Sequence, residues 1–305
     1  MTTSPPTAVF IGVGSWGRNV IRAFGRCGVQ PAGFLVAGSG STRSWLSQHF
    51  PGAPVASDLY DLLSLPASMA VVTSPRDTHA TYAAAALTAN MHVWVEKPPA
   101  TTAFAAGALA GLAAERRRYL HTAFTYLFHP AFDQLITQLR QDDLAVVRFD
   151  WRRPNAPTPV AWELLPHELA LAIRLTGWIP SDVVIEGDST CLRCHWQVDG
   201  GPTVEVEIDG CTGPKEKRLQ VQTRDGTTWS WTDNTLYRPH RNGPVRQDFS
   251  RTDPLWKEAQ CFVTNGIEGR WSAHESRMAV AIVDLIERAL AATKSRTGAP
   301  GVTPD

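Results

Sequence analysis

The first apolar run, Ala8 to Gly12, is short and ends in glycine. From Ser15 to Gly28, Val20, Ile21 and Phe24 fall on one side. A strand followed by a helix is predicted there. Gly33 to Ala37 repeats the strand pattern and runs into a polar turn from Gly38 to Arg43. Trp45, Leu46 and Phe50 then predict a further helix. Val55, Met69 to Thr73 (MAVVT) and His92 to Val95 (HVWV) are the next strand candidates. Leu59 to Leu63, His79 to Ala89 and Phe104 to Arg117 read as helices. Short apolar strands alternating with helices over about 120 residues predict an α/β domain with a doubly wound parallel sheet, helices on both faces.

The pattern changes after about Tyr126. Val146 to Trp151, Val183 to Ile185, Leu192 to Val198, Val204 to Ile208, Arg218 to Gln222 and Thr227 to Trp231 read as successive strands. Turns such as Asp199-Gly200-Gly201 and Asp225-Gly226 separate most of them. One helix, Pro166 to Thr176, interrupts the set, and Glu275 to Thr293 is a long final helix. An α+β C-terminal domain with an open, mainly antiparallel sheet is expected. The predicted boundaries are residues 1–123 for the first domain and 124–295 for the second. A loose tail is expected over 296–305. Whether the final helix packs back on the first domain is left open.

The 305 residues suit two domains at roughly 150 each. Apolar residues make up 43% and charged residues 19%, which excludes wholesale disorder. Lys plus Arg (29) balances Asp plus Glu (29), so the footprint of a nucleic-acid binder is missing. No apolar run reaches the roughly 18 residues of a membrane span, and Met1 to Thr7 lacks the pattern of a secretory signal. The cysteines, at 27, 191, 194, 211 and 261, are few and odd in number. A reducing, cytoplasmic setting without a disulfide framework is expected.

Gly12-Val13-Gly14-Ser15-Trp16-Gly17 matches G-x-G-x-x-G between a strand and a helix. Glycines there let the backbone turn tightly and approach a pyrophosphate at the helix N-terminus. Ser15 and Trp16 lie in the same loop. The end of the second strand, Ala37-Gly38-Ser39, carries no acid to accept a ribose 2′-hydroxyl. Ser39, Ser41, Thr42 and Arg43 follow instead. Hydroxyls and a guanidinium bind a 2′-phosphate that a carboxylate would repel, so NADP is expected over NAD. By position alone Arg43 is equally the solvated start of a helix.

Glu96-Lys97-Pro98 ends the HVWV strand, where ligands of parallel sheets bind. A lysine there can hold a substrate oxygen and donate a proton. Read alone it is as readily a surface lysine. In Trp162-Glu163-Leu164-Leu165-Pro166-His167-Glu168, Pro166 predicts a helix start and puts His167 in the first turn. The positive end of the helix favours a neutral imidazole, able to exchange a proton with a hydroxyl. Glu163, one turn earlier, is placed to orient it. A structural cap is the plainer reading of such a histidine.

In order, GVGSWGRN (12–19), TSPRDTHATYAAAAL (73–87), VWVEKP (93–98), FTYLFHPAF (124–132) and WELLPHELALAIRLTG (162–177) resemble the Gfo/Idh/MocA family of sugar-type oxidoreductases. The resemblance covers most of the chain. It implies an N-terminal Rossmann domain and a C-terminal sheet through which family members associate as dimers or tetramers. It implies that Lys97 is the catalytic lysine, His167 the active-site histidine and Glu163 its acid. It further implies that Glu96 lies near the nicotinamide ribose, that Ser74, Pro75 and His79 line the cofactor, and that the Lys97–Pro98 peptide can be cis. Trp16-Gly17 and the W-E-L-L-P-H-E string look most like the nucleotide-sugar dehydrogenase branch. Glu163 and Glu168 stand where that branch more often has aspartate, and Leu127 where arginine is frequent. The acid after the second strand is absent.

The expected activity is hydride transfer between NAD(P) and a secondary alcohol or carbonyl of a sugar or nucleotide-sugar-like molecule. An imine reductase and a non-catalytic dinucleotide-binding regulator are the alternatives. No metal site is expected, since Cys191 and Cys194 lack a second pair. Arg148, Arg152 and Arg153 are read as a solvated face before a phosphate or carboxylate site, and His129-Pro130 as a helix start or a substrate contact. Arg238, His240 and Arg241 are assigned to a polar loop. Eight of the eleven tryptophans, from Trp151 onward, are assigned to core packing.

Overall fold

Along the first part of the chain run β1 (Thr7–Ile11), α1 (Ser15–Arg26), β2 (Gln30–Leu35), α2 (Gly40–His49), β3 (Val55–Ala56), α3 (Leu59–Leu63), β4 (Met69–Val72), α4 (His79–Thr88), β5 (His92–Glu96), α5 (Ala103–Arg116) and β6 (Leu120–Ala123). The second part runs α6 (Pro130–Gln138), β7 (Leu144–Arg152), α7 (Val160–Glu163), α8 (Leu165–Thr176), β8 (Val184–Gly187), β9 (Cys191–Gln197), β10 (Thr203–Asp209), β11 (Glu216–Thr223), β12 (Thr228–Thr232), β13 (Thr235–Arg238), β14 (Val245–Asp248), α9 (Pro254–Glu268) and α10 (Ala273–Thr297). The computed structural model describes residues 5–38, 40–181, 183–270 and 273–297. The predicted tail beyond residue 297 lies outside them, and the final helix extends through Thr297.

The chain divides into two units. One takes in the residues up to Thr125 together with Asp253–Val283, and the other Tyr126–Thr252 together with the residues from Asp284 on. In the first unit, six parallel strands form one sheet in the order β3-β2-β1-β4-β5-β6. Helices cover both faces, so β4 is apolar and buried at every position. Phe10, Phe24, Phe34 and Trp94 form the core on one face; Val9, Ile11, Val72 and Val95 form it on the other. The strand order reverses between β1 and β4, so the crevice of such a sheet opens at their carboxyl ends.

Two local readings are corrected. Residues 40–43 are not a turn but the first residues of α2. The serine and threonine that looked like turn residues are tolerated in a helix's opening turn. Helix α9 was not expected. Asp253 accepts a hydrogen bond from Trp256 N at 3.0 Å, and Pro254 occupies the first turn. Phe262 packs between Phe24 and Tyr119 at ring separations of 5.8 and 5.5 Å.

In the second unit, eight strands form a sheet in the order β14-β13-β12-β11-β7-β10-β9-β8. All neighbours are antiparallel except β7 and β10. Side chains alternate, and the apolar set faces helices: α8 lies against β7 and β10, and α6 against β12. The other face is charged. Arg148 pairs with Glu205 (2.7 Å), Arg193 with Glu207 (2.9 Å) and Arg152 with Glu216 (3.1 Å). Arg238 ends β13, leaving only His240 and Arg241 of the predicted loop outside a strand. Strand β13 and the edge strand β14, four residues each, were not expected from the sequence.

A buried polar network anchors α9 and α10 to β6. His121 Nε2 lies 3.1 Å from Glu258 Oε1, and Tyr119 Oη donates to Glu275 at 2.8 Å. Thr125 Oγ1 donates to the second oxygen of Glu258 at 2.7 Å. Burial alone would lower the His121 pKa, but the hydrogen bonds and charges of Glu258 and Glu275 outweigh it and raise the value to about 9. A value raised above that of the unfolded chain stabilises the fold fully below about pH 6.5, and this contribution is lost as pH rises through about 9. It amounts to about 3 kcal/mol. Urea unfolding will therefore show a stability gap between the parent and His121→Gln/Glu258→Gln that closes as pH rises from about 6.5 to about 9.5. A gap independent of pH would exclude a charged His121.

Candidate functional site

The loop after β1 is set by close approach of backbones. Gly12 has φ +92°, and a Cβ placed on it would meet Ser74 N at 2.6 Å and the Thr73 carbonyl at 2.7 Å. A Cβ on Gly17 would meet Gly12 O at 2.6 Å. Thr73 Oγ1 donates to Gly12 O at 2.6 Å. The loops after β1 and β4 are thereby fastened where the strand order reverses. Gly14 differs: nothing lies within 4 Å of a Cβ built there. It is the N-cap of α1 and brings no side chain to the helix's first N–H groups, and the first turn holds no acid. An uncapped N-terminus beside an open glycine fits an anionic pyrophosphate.

Trp16 is exposed in the first turn of α1, and its indole N–H donates to the Glu96 carboxylate. Glu96 closes β5, and its other oxygen accepts the Lys97 N–H at 3.2 Å. Burial raises the Glu96 pKa to about 7, repulsion from Glu258 adds to this, and the Lys97 charge and the Trp16 bond oppose it. Lys97 is half-buried, and the Lys97–Pro98 peptide is cis. His79, buried at the start of α4, lies between Ser74 O and Pro98 O, each 2.8 Å from a ring nitrogen. Burial lowers its pKa. The neutral ring has one N–H and donates to one of these carbonyls at a time. Thr78 Oγ1 lies 2.7 Å from Ser74 Oγ, and Pro75 starts the intervening turn. Gly12, Trp16, Ser74, His79, Glu96 and Lys97 therefore form one cluster within the first unit.

At the β2 end, Ser39 lies outside the described residues. Arg43 is exposed on α2. The Arg18 guanidinium sits 5.0 Å from the Trp45 ring centre, and that of Arg22 sits 5.6 Å from it. Sequence reading missed these two arginines, although their i, i+4 spacing on α1 immediately after Gly17 was visible.

In the second unit Glu163 ends α7 and is half-buried. Leu164 links it directly to α8, which begins at Leu165, so Pro166 is the second helical residue rather than the first. His167 lies in the opening turn, its N–H donating to Leu164 O at 3.2 Å. Because α7 abuts α8, this helix end is less open than the proline alone suggested. The His167 ring meets Tyr126 edge-on at 5.0 Å and Trp151 at 5.8 Å. Beside them is a pair that sequence reading missed: Lys217 Nζ lies 3.1 Å from Glu168 Oε1. It came from register rather than motif, since Lys217 and Trp151 face each other across β11 and β7. His129 caps α6, its Nδ1 accepting from Ala131 N at 3.1 Å, and supports the helix-start reading. Cys191 and Cys194 point to opposite faces of β9; Cys191 instead meets Asp209 and Cys211, their ligand atoms within 4.8 Å of one another.

A family profile described as the oxidoreductase family with the NAD-binding Rossmann fold, Gfo/Idh/MocA, matches residues 7–124. A UDP-N-acetylglucosamine 3-dehydrogenase from Acidithiobacillus ferrooxidans is 27% identical over 184 residues. That alignment spans 56% of this chain and 58% of the relative. The solved structure of a UDP-N-acetylglucosamine 3-dehydrogenase from that species superposes with a TM-score of 0.84 at 21% identity, covering 94% of this chain and 97% of the other. A dehydrogenase from Chromobacterium violaceum gives 0.85 at 16% identity, covering 97% of both chains. A Synechocystis biliverdin reductase, solved with biliverdin and NADP+, gives 0.76 at 17% identity over 94% of this chain and 99% of that one.

The two loop glycines separate strain from access. Gly12→Ala is expected to lower stability by about 2 kcal/mol or more, because its backbone is left-handed and its neighbour is backbone. Gly14→Ala, at φ −72° and facing open space, is expected to melt within about 2 °C of the parent. Thermal melts of both variants check this; equal losses would contradict the geometry.

Proposed function

The chain belongs to the Gfo/Idh/MocA oxidoreductase family, and we propose that it is an NAD(P)-dependent dehydrogenase acting on a sugar or nucleotide sugar. The observation that carries this reading is the cluster joining the glycine loop to Glu96 and Lys97 through Trp16. The alignment with a nucleotide-sugar dehydrogenase favours that substrate class.

A bound nicotinamide would supply or accept the hydride, and Gly12, Gly14, Ser15, Gly17, Ser74 and Glu96 would hold the dinucleotide. Lys97 acts at the reacting oxygen. In reduction its ammonium draws electron density from the carbonyl and donates a proton as the alcohol forms. In oxidation the neutral imidazole of His167 accepts the hydroxyl proton, and Glu163 orients the ring or a neighbouring hydroxyl. Arg43, together with Arg18 and Arg22, supports NADP as the preferred carrier, because guanidinium groups suit a 2′-phosphate. The paired charges on the open face of the eight-stranded sheet support association of copies into a dimer or tetramer through that face. Sedimentation should then show an oligomer that loosens as salt rises to about 0.5 M; a monomer at low salt would overturn this part.

Turnover followed at about 340 nm with nucleotide sugars, free sugars and cyclic imines tests the reaction. Lys97→Ala should lower kcat about 100-fold to 10,000-fold while NADPH binding is kept. Near-parent turnover in that variant would reject the assignment. Arg43→Ala should weaken use of NADPH more than of NADH, and a parent preference for NADH would reject the NADP reading.

A further inference from the structure

Burial alternates along β11, so Lys217 points to the same covered side as Leu219 and Val221. It is 7% exposed, and its partner Glu168 is 0% exposed. The ammonium lies 3.3 Å from the ring centre of Tyr126 and 4.1 Å from that of Trp151. Its strand position is fixed by one residue, Asp233: the Lys217 N–H donates to Asp233 Oδ1 at 3.2 Å and its carbonyl accepts from Asp233 N at 2.8 Å. Both aromatic rings that hold the ammonium also touch His167.

A buried ion pair is costly to desolvate, and apolar residues of the same volume often serve stability as well or better. A cation on two aromatic faces recovers part of that cost, but packing alone gives no reason for a charge here. The cage does have a consequence for its neighbour. We propose that Lys217 is a positioning residue for His167: held by Glu168 and by the faces of Tyr126 and Trp151, it fixes the rings that frame the imidazole and keeps a positive charge one aromatic ring away from it. The inference deepens the role given to His167 and rests on that reading, but its test needs no substrate.

The charged and titratable groups acting on the cage are Glu168 from α8, Tyr126, Asp233 after β12 and Arg153 after β7. A unit charge at this range moves an imidazole by about one pH unit. The experiment is an NMR titration of histidine ring signals in the full chain, with His167→Asn identifying the signal of interest. Lys217→Met should raise the His167 midpoint by about one pH unit, because the cation is lost and Glu168 remains. Lys217→Arg should leave it within about 0.3 of the parent. Glu168→Gln, which keeps the cation on its rings, should lower the midpoint and decides the matter if Lys217→Met does not fold. An unmoved midpoint in folded Lys217→Met, or an unmoved or raised one in Glu168→Gln, would make Lys217 a core fixture and overturn the proposal. Midpoints that move as expected while Lys97→Ala keeps full turnover would uphold the positioning role and reject the dehydrogenase reading instead.

Discussion

The backbone of Gly12 lies so close to the backbone of Ser74 that no side chain fits between them. Everything in the candidate cofactor site depends on that approach. It joins the ends of β1 and β4 at the reversal of strand order, and beside it the N-cap Gly14 of α1 is open, with nothing within 4 Å of a Cβ built there. The hydroxyl of Thr73 on Gly12 O and the His79 ring between Ser74 O and Pro98 O extend the same fastening to the end of β5. The turn that carries Lys97 is thus tied, through Pro98, to a series of short contacts that begins at a glycine.

The two units use charge differently. On the open face of the eight-stranded sheet, arginine and glutamate pair across neighbouring strands within reach of water, where each pair contributes little to stability. On the covered face, Lys217 and Glu168 are sealed among aromatic rings, where the loss of one partner would strand a buried charge. The first unit has its own sealed charge in His121, which ties β6 to α9 and α10. Pairs of this second kind tell more about a site than pairs of the first, because they persist only where geometry satisfies them.

Much of this was legible in the sequence where the signal is local. The glycine loop, the apolar run of β4 and the Glu96-Lys97-Pro98 turn are each contained in a few residues. The Rossmann sheet followed from them because buried parallel strands must be continuously apolar. What escaped reading is non-local. Helix α9 belongs with the first unit although about 130 residues separate it from β6; only its Asp253-Pro254 start was a sequence signal. Lys217 reaches Trp151 through strand register, which no motif records. The residues at 40–43 read as a turn because serine, threonine and glycine favour turns and helix starts alike. Strand β13 and the edge strand β14 have only four residues each, so their alternation is faint.

The central claim is that the opening beside Gly14 receives a dinucleotide, and direct binding tests it without any substrate. Titration of the full chain with NADPH, followed by energy transfer from tryptophan to the reduced nicotinamide, should saturate at one dinucleotide per chain and be lost in Gly14→Val, whose Cβ would start in open space and whose fold a thermal melt checks. Failure of the parent to bind, or full binding by Gly14→Val, would contradict the account.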